Sequence, residues 1–324
     1  MPVRDSPTLT TSFLPVMVTG ERRSGTTLVA NFLNSQEGFA VHSDLLRSLF
    51  AEAGRLQITD ATKQLSERER NILLSNLEAE GLETGMPFFS DIPRANCNRW
   101  IDVYLEGLKA LSGDAEAAKK VVGTKVTGTY ELLPAMLDAG VRVVFCIRDP
   151  RDVCLSAMNR FSGYHLFDFV TAWQRSVTVA KQLRGHANFH LVRFEDLVSE
   201  DRESELARLS QFLGQQLDGA ARPTHRSGIG FTANSSFGDV LKPFDASAKD
   251  RWKRVDQTLP EVVFPSRFLA TELQEFGYES PAGATHNYGR LAASYKQYIL
   301  TRRLARTARS ARRMLNQSVF RTRK

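Results

Sequence analysis

The sequence predicts an α/β fold, a parallel sheet flanked by helices on both faces, and three observations carry that expectation. Short apolar runs alternate with longer segments whose apolar residues recur at helical spacing. The clearest run, Val141–Ile147, is apolar apart from Arg142 and rich in β-branched residues, as a strand covered on both faces requires. The first run, Leu14–Val18, stops at Gly20, and a helical pattern begins at Thr27 after a loop of phosphate-binding size.

The remaining elements follow in order. Residues 44–120 read as helices and loops, with helical patterns over the charged stretch Ser66–Glu80 and over Trp100–Leu111. Val121–Val126 is a short strand, followed by a helix near Tyr130–Ala139. Beyond Val141–Ile147 a long helix is expected from Asp152, then a strand at Phe189–Phe194 and a helix at Ser204–Leu213. Arg222–Ala248 is rich in Gly, Ser, Asn and Pro and reads as a long loop, a kind of segment that is often functional. Helices resume over Ala246–Gly277, and Pro281–Gly289 reads as a linker.

Composition bounds the class. The chain has 324 residues, 42% of them apolar, enough to bury a substantial core. Cys97, Cys146 and Cys154 have no metal-ligand spacing and are too few for a disulfide scaffold, which fits a reducing compartment. Neither a secretory leader nor an apolar run of spanning length is evident, so a cytoplasmic protein is expected. The net charge of +7 is unevenly placed. Residues 289–324 hold 11 Lys or Arg and no acid, which leaves 32 basic against 36 acidic residues before them. The basic character therefore belongs to a tail. In it Tyr295, Tyr298, Leu304, Ala308, Ala311, Leu315 and Val319 recur at helical spacing among arginines. Such a helix can lie on an anionic membrane surface, bind nucleic acid, dock on another subunit or stay solvated. The expected division is a body over 1–285 and a basic amphipathic tail over 286–324.

Gly20-Glu-Arg-Arg-Ser-Gly-Thr-Thr27 has the glycine spacing of a P-loop, whose curled backbone turns several N–H groups onto an anion at a helix N-terminus. An ordinary P-loop has a lysine before its last Ser/Thr, to reach the β and γ phosphates. Here Thr26 stands there, and the positive charge sits inside the loop at Arg23. This P-loop-like arrangement suits a single phosphosulfate better than a magnesium triphosphate.

At Arg23-Ser-Gly-Thr-Thr-Leu28 the chain resembles the 5'-phosphosulfate loop of sulfotransferases that use 3'-phosphoadenosine 5'-phosphosulfate (PAPS). Two further segments agree in order. Val141–Ile147 runs into Arg148-Asp-Pro-Arg-Asp-Val-Cys-Leu-Ser156, and that family places an Arg at such a strand end and a Ser eight residues on, both on the 3'-phosphate. Ser236-Phe-Gly-Asp-Val-Leu-Lys-Pro243, then Arg251-Trp252, is similar to the C-terminal nucleotide segment of tyrosylprotein sulfotransferases and related bacterial enzymes. The resemblance, over roughly residues 15–280, implies a sulfotransferase fold with PAPS as sulfuryl donor and no metal. It implies nucleotide contacts from Arg23, Ser24, Gly25, Thr26, Thr27, Arg148, Ser156, Arg160, Ser236, Lys242 and Arg251. Lys125, ending its strand in Gly-Thr-Lys-Val, resembles the family's catalytic lysine, and Arg23 is a second cation for the leaving group.

The sequence departs from the tyrosylprotein branch where that branch carries a pair of glutamates, one acting as base; here the region reads Val41-His42-Ser43-Asp44. Asp44 and His42 are alternative bases, and Ser43-Asp44 also reads as a helix cap. The branch's strand tyrosine near adenine appears as Phe194. The expected activity is sulfuryl transfer from PAPS to an acceptor hydroxyl, of a glycan or glycan-bearing molecule. A tyrosine-directed peptide sulfotransferase and an inactive nucleotide-binding or tethering protein are the alternatives.

Overall fold

The computed structural model describes residues 11–112, 120–162, 165–221, 244–279 and 287–321, with side chains through residue 304. Five parallel strands form one sheet in the order β2-β3-β1-β4-β5: β1 (Leu14–Gly20), β2 (Phe39–Ser43), β3 (Val121–Lys125), β4 (Arg142–Ile147) and β5 (Phe189–Arg193). The helices are α1 (Thr26–Asn34), α2 (Arg47–Leu56), α3 (Glu67–Thr84), α4 (Trp100–Ser112), α5 (Leu133–Asp138), α6 (Pro150–Arg160), α7 (Leu166–Leu183), α8 (Phe194–Leu197), α9 (Arg202–Leu213), α10 (Pro260–Phe268), α11 (Ala270–Glu275) and α12 (Tyr288–Arg321).

Period-2 alternation divides the sheet between two apolar layers. Met17, Val122, Val143, Phe145 and Ile147 face a large cluster with Leu49, Trp100, Tyr104, Met136 and Trp173 from α2, α4, α5 and α7. Val16, Val18, Val121, Val144 and Cys146 face a second cluster with Val29, Phe32 and Leu209 from α1 and α9. The β-branched run at residues 141–147 therefore does what its composition requires, filling both layers at once.

The structure differs from the sequence reading in several places. Phe39–Ser43, which the sequence reading assigned to no element, is an edge strand, paired in register with β3 so that Ser43 faces Lys125. Ser43 and Asp44 cap no helix: α2 starts at Arg47 with Leu46 at its N-cap in a left-handed conformation and no cap from its own side chain. Glu80 of α3 supplies the cap, accepting Arg47 N–H at 3.3 Å and Ser48 N–H at 2.9 Å. The long helix expected from Asp152 is two helices. Asp149 and Pro150 start α6, Phe161 is extended, and His165 with Asp168 forms a capping box that restarts the chain as α7. Arg222–Pro243 of the expected long loop lies outside the described residues.

The tail forms helix α12, and its first turns are part of the body. Tyr288, Leu291, Tyr295 and Tyr298 pack on the large cluster. Tyr295 meets Phe167, Phe264 and Phe268 with ring centroids 4.7–5.4 Å apart. Tyr298 donates to Asp168, and Arg302 pairs with the same carboxylate at 2.6 Å. Leu300 and Leu304 are exposed. No helix among the described residues is long and apolar enough to cross a membrane. Tyr295→Ala should therefore cost stability, about 2 kcal/mol, whereas Leu304→Ala should change it by less than about 0.5 kcal/mol. Urea denaturation of the two variants beside the parent checks this, and equal midpoints would detach α12 from the core.

Candidate functional site

β2, β3 and β5 end in Ser43, Lys125 and Arg193 and β4 runs directly into Arg148, and ligands of open α/β sheets bind outside that edge where the strand order reverses. β1 is central, with β3 and β2 on one side and β4 and β5 on the other. The chain leaves β1 at Gly20 and turns through residues 21–25 into α1. Two glycines make the turn. Gly20 has φ 143° and a Cβ there would lie 2.2 Å from the Cys146 carbonyl oxygen. Gly25 has φ 88° and a Cβ would lie 2.5 Å from the Phe194 ring. Arg23 between them is also left-handed, at φ 70°. Gly25 is the N-cap of α1 and supplies no side-chain cap, so the first-turn N–H groups of Thr26 and Thr27 keep their anion-binding direction. The Ser24 hydroxyl is buried and has no hydrogen-bond partner among the described residues.

Arg148 follows β4 and is buried under this loop. Its guanidinium donates to the Arg23 carbonyl at 3.2 Å and to the Ala248 carbonyl at 2.5 Å, reaches Asp152 at 3.5 Å, and lies 4.5 Å from the centroid of the Phe194 ring. The Trp173 indole donates to the Arg148 carbonyl at 2.8 Å. Arg148 Nε is buried without a partner among the described residues. Arg23 Nε donates to Ser156 Oγ at 2.9 Å, so the fold brings the loop arginine, Arg148 and Ser156 together. Burial, then repulsion from Arg148 and from Arg160 at the end of α6, lowers the pKa of Arg23 to about 10. The guanidinium stays charged at neutral pH, and an anion would relieve the repulsion among these three.

Arg251 and Trp252 join the same place. Trp252 N–H donates to Asp152 at 2.9 Å, its ring lies 3.6 Å from the Arg151 guanidinium, and Arg251 donates to the Ser247 carbonyl at 3.2 Å. Arg151 in turn makes a two-pronged pair with Asp149 at 2.8 and 2.5 Å. Ser236 and Lys242 lie outside the described residues.

Lys125 and Asp44 meet on the other side of β1. Lys125, last in β3 and buried, donates to Asp44 Oδ1 at 2.8 Å, and Asp44 N–H donates to the Lys125 carbonyl at 3.0 Å. Asp44 is held left-handed at φ 62° and lines a cleft of about 550 Å³ with Arg47, Ser48, Asn76, Glu80 and Thr127. His42 stands level with Thr124 in β2 and does not line that cleft. Two carboxylates escaped sequence reasoning. Glu80 reaches the site from α3, 33 residues beyond Arg47, and no local pattern announces it. Glu21 sits in the loop motif but is buried; its carboxylate accepts Arg22 N–H at 2.9 Å and the Tyr130 hydroxyl at 3.3 Å, and burial raises its pKa. Among the described residues no cluster of His, Cys, Asp and Glu is suited to a metal ion.

A parallel sheet with a glycine-curled anion loop leaving its central strand, and arginines gathered beside that loop, defines a nucleotide-binding α/β protein. The sequence profile of the sulfotransferase family matches residues 15–219, and the chain belongs to that family. Solved structures agree on the fold. The sulfotransferase domain of the Synechococcus PCC 7002 olefin synthase has a TM-score of 0.54 at 18% identity, covering 85% of this chain and 99% of that one. The sulfotransferase domain of the curacin biosynthetic pathway has a TM-score of 0.51 at 18% identity, covering 83% of this chain and 100% of that one. A comparison with curated proteins gives no match.

Beneath the arginines, Glu195 is fully buried; it accepts Asp149 N–H at 2.9 Å and the Tyr278 hydroxyl at 3.3 Å, and burial raises its pKa from 4.5 to about 7. Between those values the folded protein holds a proton that the unfolded chain has released, so stability falls as pH rises from about 4.5 to about 7. Glu195→Gln cannot ionise and lacks this decline. Its stability relative to the parent should rise by about 1–3 kcal/mol between pH 5 and pH 8. Chemical denaturation at both pH values measures it, and an unchanged difference would mean that Glu195 ionises normally in the fold.

Proposed function

We propose that this sulfotransferase takes its sulfuryl group from PAPS and transfers it to a hydroxyl of a glycan or glycan-bearing acceptor. The observation that carries the donor reading is the gathering of Arg23, Arg148 and Ser156 beside the α1 N-terminus, with the buried donors of Ser24 and Arg148 Nε still open. The loop residues Arg23, Ser24, Gly25, Thr26 and Thr27 take the 5'-phosphosulfate. Arg148 and Ser156 take the 3'-phosphate, with Arg160 and Arg251 adding charge at its edge. Phe194, stacked between Gly25 and Arg148, is an apolar surface for the adenine side. Ser236 and Lys242 are assigned to the nucleotide by resemblance alone.

The reaction breaks the bond between sulfur and the bridging oxygen and forms one between sulfur and the acceptor oxygen. Charge grows on the departing phosphate through a loose in-line transition state, so catalysis rests on positioning and on cations at the bridging oxygen. Lys125 and Arg23 are those cations. The acceptor's proton passes to Asp44, which lines the cleft that His42 does not. That cleft supports a hydroxyl-rich acceptor, because Ser48, Asn76, Thr127 and Thr129 line it and Phe50 is its one aromatic side chain among the described residues. The arginine-rich second half of α12 adds a contact with an anionic membrane surface, supported by its sequence, where Arg306, Arg309, Arg312 and Arg313 follow one another without an acid.

Radiolabelled PAPS offered with saccharide and peptide acceptors tests the reaction, and label in peptide alone would favour the tyrosine-directed alternative. For the donor, adenosine 3',5'-bisphosphate should bind far better than AMP. Arg148→Lys keeps the charge but loses the planar fork, so it should weaken the bisphosphate about tenfold and leave AMP unchanged. Calorimetry giving equal affinities for the two nucleotides in the parent removes the 3'-phosphate from Arg148.

The two groups at the transfer point separate by kinetics. Lys125→Ala should lower kcat on the order of 10²-fold with little loss of PAPS affinity, because its contact strengthens in the transition state. Asp44→Asn should lower turnover on the order of 10²–10⁴-fold and abolish the acidic limb of the pH profile. If the limb persists in Asp44→Asn and vanishes in His42→Gln, the base is His42.

A further inference from the structure

Arg22, exposed on the phosphate loop, lines two clefts, and the second has no role in the scheme above. It measures about 420 Å³, within the range of small-ligand sites, and lies between the loop, the turn at Gly128–Tyr130, helix α7 and the side chain of Arg302 on α12. Its floor belongs to the transfer machinery: Glu21 and Arg22 are loop residues, and Gly128 N–H donates to the Gly20 carbonyl at 3.2 Å, three residues beyond Lys125. A molecule in this cleft therefore lies against the loop that the proposed function assigns to the phosphosulfate.

The cleft's charges are not symmetric. Its two acids are already engaged. Glu21 takes Arg22 N–H and the Tyr130 hydroxyl, with a pKa raised by burial. Asp168 takes the Tyr298 hydroxyl and Arg302, and accepts His165 N–H at 3.3 Å. The three guanidinium groups keep donors in hand. Arg22 forms no ion pair among the described residues. Arg175 pairs with Glu131, which does not line the cleft, and Arg302 meets Asp168 through one of its several donors. A planar carboxylate matches such forks with two parallel hydrogen bonds.

We infer that this cleft is an acceptor subsite for a carboxylate, framed by Arg22, Arg175 and Arg302, so that the C-terminal helix helps select the acceptor. The inference rests on the hydroxyl-acceptor reading above and adds that the acceptor is anionic. Its chemistry is that of a uronic-acid-bearing saccharide whose hydroxyl faces Asp44 while its carboxylate lies across Arg22.

The test uses the full chain saturated with adenosine 3',5'-bisphosphate and calorimetry with two matched probe pairs. One pair is a uronic-acid oligosaccharide and its carboxyl-reduced counterpart. The other is 4-hydroxyphenylacetate and 4-hydroxyphenethyl alcohol. The carboxylated saccharide should bind about tenfold tighter than the reduced one. Arg175→Gln and, separately, Arg302→Gln should bring that ratio close to one without changing the Kd of the reduced form. Using two variants guards against the loss of the Asp168 contact in Arg302→Gln. Equal binding of both saccharides by the parent overturns the subsite but leaves the glycan reading standing. Charge selectivity in the phenol pair alone keeps the subsite and overturns the glycan reading. A parent that binds none of the four, or variants that weaken charged and neutral probes alike, overturn the subsite.

Discussion

The guanidinium of Arg148 is the interaction on which the site depends. It is buried at the end of β4 and touches four separate parts of the chain: the phosphate loop through the Arg23 carbonyl, α6 through Asp152, the segment before Trp252 through the Ala248 carbonyl, and α8 through the Phe194 ring. A buried cation is tolerated only where hydrogen bonds and counter-charge meet it. Here the carbonyls and Asp152 meet most of the requirement, and one donor, Nε, stays open. The same contacts that keep the charge stable in the fold tie the loop and the C-terminal segment to the end of β4. The supporting layer beneath is polar for the same reason: Asp149 locks Arg151, Arg151 lies over Trp252, and Glu195 receives the Asp149 N–H.

Crowding cations has a cost that the fold carries until a ligand arrives. The lowered pKa of Arg23, traced first to burial and then to Arg148 and Arg160, records that cost. At pKa about 10 the group remains charged near neutral pH, so the repulsion is borne by the fold rather than removed by loss of a proton. A dianionic phosphate, the ligand proposed for this site, would turn that repulsion into charge-assisted hydrogen bonds. The P-loop-like turn lacks the lysine of a nucleotide triphosphatase. The cation has moved into the loop at Arg23, and a second has been brought from β4.

How much of this was legible in the sequence follows from distance along the chain. The phosphate loop and the Arg148–Ser156 segment are local, each written within about ten residues, and the fold brings the two side by side. Strand β2 was not legible. Phe39–Ser43 is five residues at a sheet edge, and its partner β3 lies some eighty residues away across helices. The cap of α2 was misread for a related reason. Ser43 and Asp44 have the right chemistry for a cap, but Asp44 is drawn to Lys125, and the N-terminus of α2 is met by Glu80 from α3. The tail showed its amphipathic period, yet the surface that accepts its tyrosines is assembled from Phe167, Phe264 and Phe268, which only folding brings together.

The pairing of Lys125 with Asp44 places two groups of opposite task in contact before any ligand is present. The two ends differ: the Lys125 side chain is 6% exposed and that of Asp44 is 60% exposed. An ion pair with one end in water contributes little, about 1 kcal/mol or less, so separating it costs little. The buried lysine is fixed by strand β3, and the carboxylate is the solvent-exposed partner. On the proposed reading, phosphosulfate oxygens would compete for the Lys125 ammonium and leave the carboxylate to the cleft that it lines. The resting pair thus keeps a buried ammonium neutralised at the carboxyl edge of the sheet, with its counter-charge on the cleft side.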